Sequence, residues 1–399
     1  AFAFSRNRKG IDWKLVGKGL GIQIIFALLI LKVPFVSTGF EFVGKIFAKI
    51  ISFTQDGAMF LFSSFETGII ESPLMNFVVM ILPTVIFFSA LTSLFYYWGI
   101  IPKIVYGFAW LMKKIMRLSG PESVAAAGNI FLGQTESPLL VKPYLDKMTM
   151  SEMLCLMSGG MATIAGGVLA AYIGFLGGDD PVQQIMFAKH LLAASVMSAP
   201  AAIVAAKMLL PEEEKFEKKL EVSKADMGVN ALEAISKGTT DGLRLAVNVG
   251  AMLLAFIALI ALLNTIVGGI SGLFGYEDIT IEFFLGYLFA PFAFIIGVPV
   301  NEMLQAGSFI GQKIVVNEFF AYVNFVEIKD TLSPATQAIV TFALCGFANL
   351  SSIAILLGGI GSMAPSRRQD IARLGMRAML AATLANLMSA AIAGIFISL

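Results

Sequence analysis

The side chains that could do chemistry in this chain fall in three short runs. GQTESP (Gly133–Pro138) sets an amide, a hydroxyl and a carboxylate side by side. NEF (Asn317–Phe319) holds a second carboxylate, and CGFANLSS (Cys345–Ser352) breaks an apolar stretch with an amide and hydroxyls. Such groups accept and donate hydrogen bonds. They do not form a nucleophile–base pair. A carboxylate at the centre of a bilayer costs about 2.5–3.5 kcal/mol on insertion scales, so it needs a partner or a task. The three runs read together as one substrate site.

The chemistry must be held by membrane elements. Hydrophobic residues make up 57% of the 399 and charged residues 14%. Mean hydropathy is +0.83. A soluble domain carries about 25% charged residues, so the chain reads as an all-α polytopic membrane protein. A net charge of +1 gives no sign of a nucleic-acid partner. The opening AFAFSRNRKG is too short and too charged for a cleavable signal. Cys155 and Cys345 sit in apolar stretches, as small buried residues do. With one histidine, His190, a zinc site is not expected. Walker and GxSxG motifs are missing, which argues against ATP-driven pumping and hydrolysis.

A spanning helix needs about 20 apolar residues. Apolar runs occupy 15–36, 72–102, 154–178, 191–206, 245–276, 283–301, 331–366 and 378–399. The run 331–366 is too long for one span and carries Asn349, Ser351 and Ser352, so a helix broken near its middle is expected. The run 245–276 suggests a tilted helix. Segments 39–71 and 103–118 are amphipathic, either spanning or interfacial. Residues 211–237, opening PEEEKFEKKLEVSKAD, read as a solvated connection between two membrane halves. Basic loops at 103–117 and 367–377 favour the cytoplasm, which puts the C-terminus outside. The cluster Arg6, Arg8 and Lys9 pulls the other way.

Within GNIFLGQTESP the glycines loosen the backbone and Pro138 cannot continue a helix ladder. Irregular backbone at membrane depth must be buried in protein or face a watery cavity. A re-entrant hairpin with Gln134, Thr135 and Glu136 at its tip meets that condition, and a surface loop is the alternative. Around Glu318 the flanks IVV and FFAYVNF favour burial, in a site or in an interhelical hydrogen bond. Lys313, five residues earlier, need not pair with it. Gly307, Ser308 and Gly311 permit close packing. Glu302, after Pro299, suits a turn at the membrane edge. Asn349 and Ser352, three apart, would share one helix face, as site residues or as helix glue. Each half thus has a hairpin candidate with a glutamate, then a long apolar segment, then a further span. Paired interruptions of that kind point to a midplane site in a secondary transporter.

GNIFLGQTESPLL, GSFIGQKIVVNEFFAY and CGFANLSSI, in that order, resemble the signature runs of the bacterial concentrative nucleoside transporter family, sodium-coupled nucleoside symporters. The resemblance covers most of the chain, from about Phe4 to Leu399. It implies a homotrimer in the bacterial inner (plasma) membrane, multi-pass. About eight transmembrane helices, two re-entrant helical hairpins, interfacial helices and inverted repeats are expected, with both ends outside. The implied division is 1–120 for N-terminal scaffold helices and 121–230 for the first half of the transport domain. Residues 231–278 would form a long scaffold or trimerisation helix, and 279–399 the second half of the transport domain.

Carried over by motif, Gln134, Thr135 and Glu136 face the nucleobase, with Val168 packed against it. Glu318, Asn349 and Ser352 hold the ribose hydroxyls, and Phe347 lines the sugar pocket. The family's sodium site falls on the side chains of Asn129 and Thr163 with the carbonyls of Leu132 and Ile164. Threonine and leucine stand here where relatives carry serine and valine; the hydroxyl and the carbonyl survive both changes. The expected function is import of nucleosides such as uridine, cytidine or adenosine by sodium symport with alternating access. Sodium is the coupling ion, and no cofactor or catalytic residue is expected. The alternatives are a proton-coupled symporter of the same fold and, further off, an intramembrane enzyme or a passive channel.

Overall fold

A computed structural model describes residues 1–64, 67–70, 77–178, 180–214, 216, 228–276 and 279–398. Residues 72–76 of the 72–102 run, and 215 and 217–227 of the 211–237 connection, lie outside the described residues. Among the described residues the chain is helical throughout, without strands.

The N-terminal helices are α1 (Trp13–Lys32), α2 (Pro34–Phe62), α3 (Phe77–Met80), α4 (Leu82–Tyr97) and α5 (Ile100–Met116). Asp12 starts α1 by accepting from the amides of Lys14 and Leu15, and Pro34 opens α2 where a missing N–H costs nothing. The first hairpin follows: α6 (Gly120–Gly128), an irregular tip, and a 3-10 arm at Ser137–Lys147. Pro138 and Pro143 account for the tighter second arm, since each removes an amide that an α-helix needs. The hydroxyl of Ser137 closes the hairpin on the carbonyl of Ala125 at 3.0 Å.

Next come α7 (Met150–Ala162) and α8 (Gly166–Gly177). The run 154–178 gave no warning of this interruption at Thr163–Ala165. A capping box, Thr149 with Glu152, starts α7. The chain continues through α9 (Pro181–Leu209), α10 (Ala231–Gly272) and α11 (Ile281–Ile295). The second hairpin is α12 (Met303–Val315) and α13 (Glu318–Ile328). Asn324 donates to Gln312 across it at 2.7 Å. Then come α14 (Pro334–Leu344), α15 (Leu350–Met363) and α16 (Arg368–Ser398). The expected break in 331–366 falls at Cys345–Asn349.

Among the described residues, six helical segments are long and apolar enough to span a membrane. They are Trp13–Lys32, Phe77–Tyr97, Met150–Gly177, Pro181–Leu209, Ala231–Gly272 and Pro365–Ile397. The runs 283–301 and 331–366 resolve into shorter helices because a turn and a break divide them. The apolar windows of 150–177 and 181–209 are 94% and 89% buried, whereas that of α10 is 22% buried. The core therefore lies around α7, α8 and α9. At 42 residues α10 is about 63 Å long, twice a bilayer core, and it leaves Leu254, Leu262 and Ile266 exposed.

The order hairpin, broken helix, long helix occurs twice. Helix α16 packs on α9, α14 and α7, so the two series interlock. Arg367 fastens them at one end by donating to the carbonyls of Leu145, Asp146 and Met148. Helix α1 lies on α9, whereas α10 lies on α4. As expected, Gly307 and Gly311 permit close approach: a Cβ at either would meet α11 atoms at 2.6–2.8 Å. Glu302 lies in the turn before α12 and accepts from the amide and hydroxyl of Ser333.

Candidate substrate and cation site

Burial makes the polar tips informative. The hairpin tip of the first half lies on α7. A Cβ at Gly160 would sit 2.9 Å from the Cβ of Gln134, and one at Gly159 would sit 2.6 Å from Nδ2 of Asn129. Only glycines permit that approach. The tip also reaches the second half. Gln134 Nε2 donates to Ser352 Oγ at 3.2 Å, across 218 residues of sequence. Thr135 lies against Gly359 of α15.

In the second half Glu318 opens α13 and is 3% exposed. Its two carboxylate oxygens are both engaged. Tyr172 OH donates to Oε1 at 3.1 Å and Asn349 Nδ2 donates to Oε2 at 2.7 Å. Asn349 is the N-cap of α15, and its Oδ1 accepts from the Ser352 amide at 2.8 Å. The expected shared helix face of Asn349 and Ser352 is thus corrected to a cap. The cap residue has extended backbone, so its side chain turns back on the helix start and leaves its amide nitrogen for Glu318. The break in α14–α15 is what makes this possible.

Gln134, Glu318, Asn349 and Ser352 are therefore brought together in two hydrogen-bonded pairs, each joining different elements. Val168 is buried on α8 and Phe347 is half-buried in the second break. Glu136 stays closer to home, where its Oε2 accepts from the Gly133 amide at 3.1 Å.

Asn129 caps the C-terminal end of α6, and Thr163 caps the C-terminal end of α7. Leu132 and Ile164 follow in the adjoining irregular segments, and both are buried. Thr163 donates its hydroxyl to the carbonyl of Gly159 at 2.9 Å, which leaves its oxygen lone pairs free to accept. Asn129 Nδ2 donates to the Leu156 carbonyl at 3.4 Å. Its Oδ1 is buried without a hydrogen-bond partner, as is Oε1 of Gln134. Buried acceptors without partners are costly. The Asn129 oxygen is able to accept a cation, and the Gln134 oxygen a hydrogen-bond donor. Broken-helix ends that expose carbonyls suit a sodium ion.

Sequence reasoning missed Tyr172 and Asn386. Tyr172 stands in an apolar run with no polar neighbour, so nothing local set it apart. Asn386 is the one amide in a small, apolar stretch of α16, which was a usable signal. It donates to the Ala162 carbonyl at 2.7 Å, at the end of α7.

Two hairpins meeting two broken helices around buried, partly unpaired polar groups define a secondary membrane transporter. The chain belongs to the Na+-dependent nucleoside transporter family. Its residues 1–65 and 190–394 match the N-terminal and C-terminal models of that family. Residues 78–179 match a family described as nucleoside recognition. It is similar to an uncharacterized transporter of Haemophilus influenzae, 45% identical over 100% of this chain and 95% of that one. It resembles the nucleoside permease NupC of Helicobacter pylori, 40% identical over 100% and 95%. Solute carrier family 28 member 3 of Mus musculus is 40% identical over 99% of this chain and 56% of its own length. Among solved structures, CNTnw in an inward-facing substrate-bound state superposes with a TM-score of 0.90 at 41% identity, covering 99% of this chain and 95% of that one. A substituted CNTnw in an outward-facing state gives 0.92 at 41% identity, over 100% and 94%.

Proposed function

We propose that this chain is a sodium-driven nucleoside symporter that works by alternating access, importing uridine, cytidine or adenosine. The observation that carries the reading is the pair of contacts Gln134–Ser352 and Glu318–Asn349. They join both hairpin tips to the second broken helix and present amide, hydroxyl and carboxylate groups in one place. Gln134, Thr135 and Glu136, with Val168, take the base edge. Glu318, Asn349 and Ser352 take the ribose hydroxyls, beside Phe347. A carboxylate accepting from a sugar hydroxyl makes a charge-assisted hydrogen bond. Tyr172 and Asn349 donate to the two Glu318 oxygens and hold the carboxylate in place for that contact. The unpaired Oδ1 of Asn129 supports sodium binding there, with the Thr163 hydroxyl and the carbonyls of Leu132 and Ile164.

One sodium ion crossing ~100 mV yields about 2.3 kcal/mol, and a tenfold sodium gradient adds about 1.4 kcal/mol. Together these sustain a nucleoside ratio of order several hundredfold. The exposed apolar flank of α10 supports a homotrimer built on that helix. Residues 1–120 and 231–278 would carry the scaffold, and 121–230 and 279–399 the moving part. The bacterial relatives support placement in the inner membrane, and membership in a transporter family implies that the chain is not an enzyme.

Labelled uridine uptake into proteoliposomes tests the reading. Under an inward sodium gradient uptake should be concentrative, and it should vanish when choline replaces sodium. Uptake driven by an inward proton gradient alone would transfer coupling to a carboxylate, Glu136 or Glu318. No nucleoside uptake by folded protein would sink the substrate assignment.

A further inference from the structure

Lys313 in the last turn of α12 is 2% exposed. Its ammonium donates to two neutral oxygens, the Ala343 carbonyl at 2.8 Å and Asn386 Oδ1 at 2.8 Å. It forms no ion pair among the described residues. Ala343 lies at the C-terminal end of α14, and Asn386 donates in turn to Ala162, the last residue of α7. The ammonium thus meets the C-terminal end of α14 directly and reaches that of α7 through Asn386. Each such end carries a partial charge of roughly −0.5. The two breaks cross here. Gly346 has φ +124°, and a Cβ on it would lie 2.7 Å from the Ala162 carbonyl oxygen and 2.9 Å from Asn386 Oδ1.

The elements involved have counterparts in the first half. There the cation oxygens come from the C-terminal end of α6, at Asn129, and the C-terminal end of α7, at Thr163. In the second half the corresponding ends are those of α12 and α14, and they are where Lys313 and Ala343 meet. Half-helix C-terminal ends and unwound carbonyls are where transporters bind coupling cations. Lysine brings a compact point charge with three donors. We propose that Lys313 is a tethered cation filling, in the second half, the place that the coupling sodium takes in the first. One mobile cation is then coupled per nucleoside, and Lys313 is a positioning residue for the break that carries Asn349. The inference rests on the sodium reading above.

The test compares wild type, Lys313→Met and Lys313→Gln, the last keeping hydrogen-bond donors without charge. Labelled uridine binding is titrated with sodium, and Cys345 alkylation is followed without nucleoside in a Cys155→Ala background. Cys345 lies buried in the second break, so its labelling reports the opening of that break. Wild type should show a sodium Hill coefficient of about 1. In both variants a free sodium ion must replace the lost charge. The coefficient should rise toward ~2, with half-saturating sodium about tenfold higher. Cys345 should label faster in both, and added sodium should slow it again. A wild-type coefficient near ~2 overturns the proposal. So do variants with unchanged sodium dependence, or faster labelling that sodium does not reverse, which would leave Lys313 as a helix cap alone. If the Met variant does not fold, the Gln variant decides. If wild type binds no uridine, the nucleoside reading fails, and sodium protection of Cys345 in the variants still decides the role of Lys313.

Discussion

Glu318 owes its position to two donors from two different helices. Tyr172 on α8 and Asn349 at the start of α15 hold its carboxylate between them. Replacing Glu318 with alanine removes the carboxylate proposed to take the ribose hydroxyls. Uridine uptake should then be lost while size-exclusion behaviour stays that of wild type. Normal uptake by that variant would remove Glu318 from the site. Tyr172→Phe is subtler. A hydrogen bond to a charged group contributes about 1.5–3 kcal/mol, so uridine KM should rise by roughly tenfold or more. An unchanged KM would show that Tyr172 only fills space. On the cation side, Asn129→Ala should raise half-saturating sodium by about tenfold, because the unpaired Oδ1 is the oxygen most in need of a cation. Sodium dependence that does not move would shift the ion elsewhere.

Among the elements, the hairpin tip and α7 form the contact most sensitive to volume. Gly160→Ala puts a methyl 2.9 Å from the Cβ of Gln134 and 3.1 Å from its Cα. The backbone atom cannot swing aside as a side-chain end can. Overpacking of this kind costs about 1–3 kcal/mol. Thermal melting of the purified protein should fall by several degrees. Uridine affinity should fall with it, since the Gln134 tip is pushed off its seat. Unaltered melting and affinity would mean that the tip is not seated on α7 in solution. The two helix breaks are settled differently. Asn349 restarts α15 with a side-chain cap, whereas α8 restarts at Ala165 without one and its Gly166 amide donates to the Phe131 carbonyl of the hairpin tip at 3.2 Å. Either way a helix restarts inside the protein with a partner for a terminal amide.

For the molecule as a whole, alternating access requires that one group of helices move past another. Helix α8, next to the site, lies on α4, which itself lies on the long α10. A Cβ at Gly167 would lie 3.2 Å from Ser89 Oγ. A Ser89→Cys, Gly167→Cys pair in a background lacking Cys155 and Cys345 should therefore cross-link. If α8 slides along α4, oxidation should stop uridine uptake and reduction should restore it. Full uptake by cross-linked protein would place the moving boundary elsewhere. The sequence alone determined much of this protein. An apolar composition with few charges demanded a bundle of membrane helices. Glycine and proline around Gln134, Thr135 and Glu136 marked a hairpin, and the polar interruption at Asn349 marked a broken helix. Those signals are legible because they violate local rules that ordinary spans obey. The break at Thr163–Ala165 violated none, since it is small and uncharged, and only the packed structure revealed it. Tyr172 and Asn386 belong to the same class: each is one polar group on an apolar helix, and its role depends on what faces it. The cap geometry of Asn349, the seating of Gln134 on Gly160 and the meeting of two helix ends at Lys313 were likewise decided only by the tertiary structure. They depend on contacts between residues distant in sequence, where burial fixes which oxygen meets which donor and periodicity along the chain carries no trace of it.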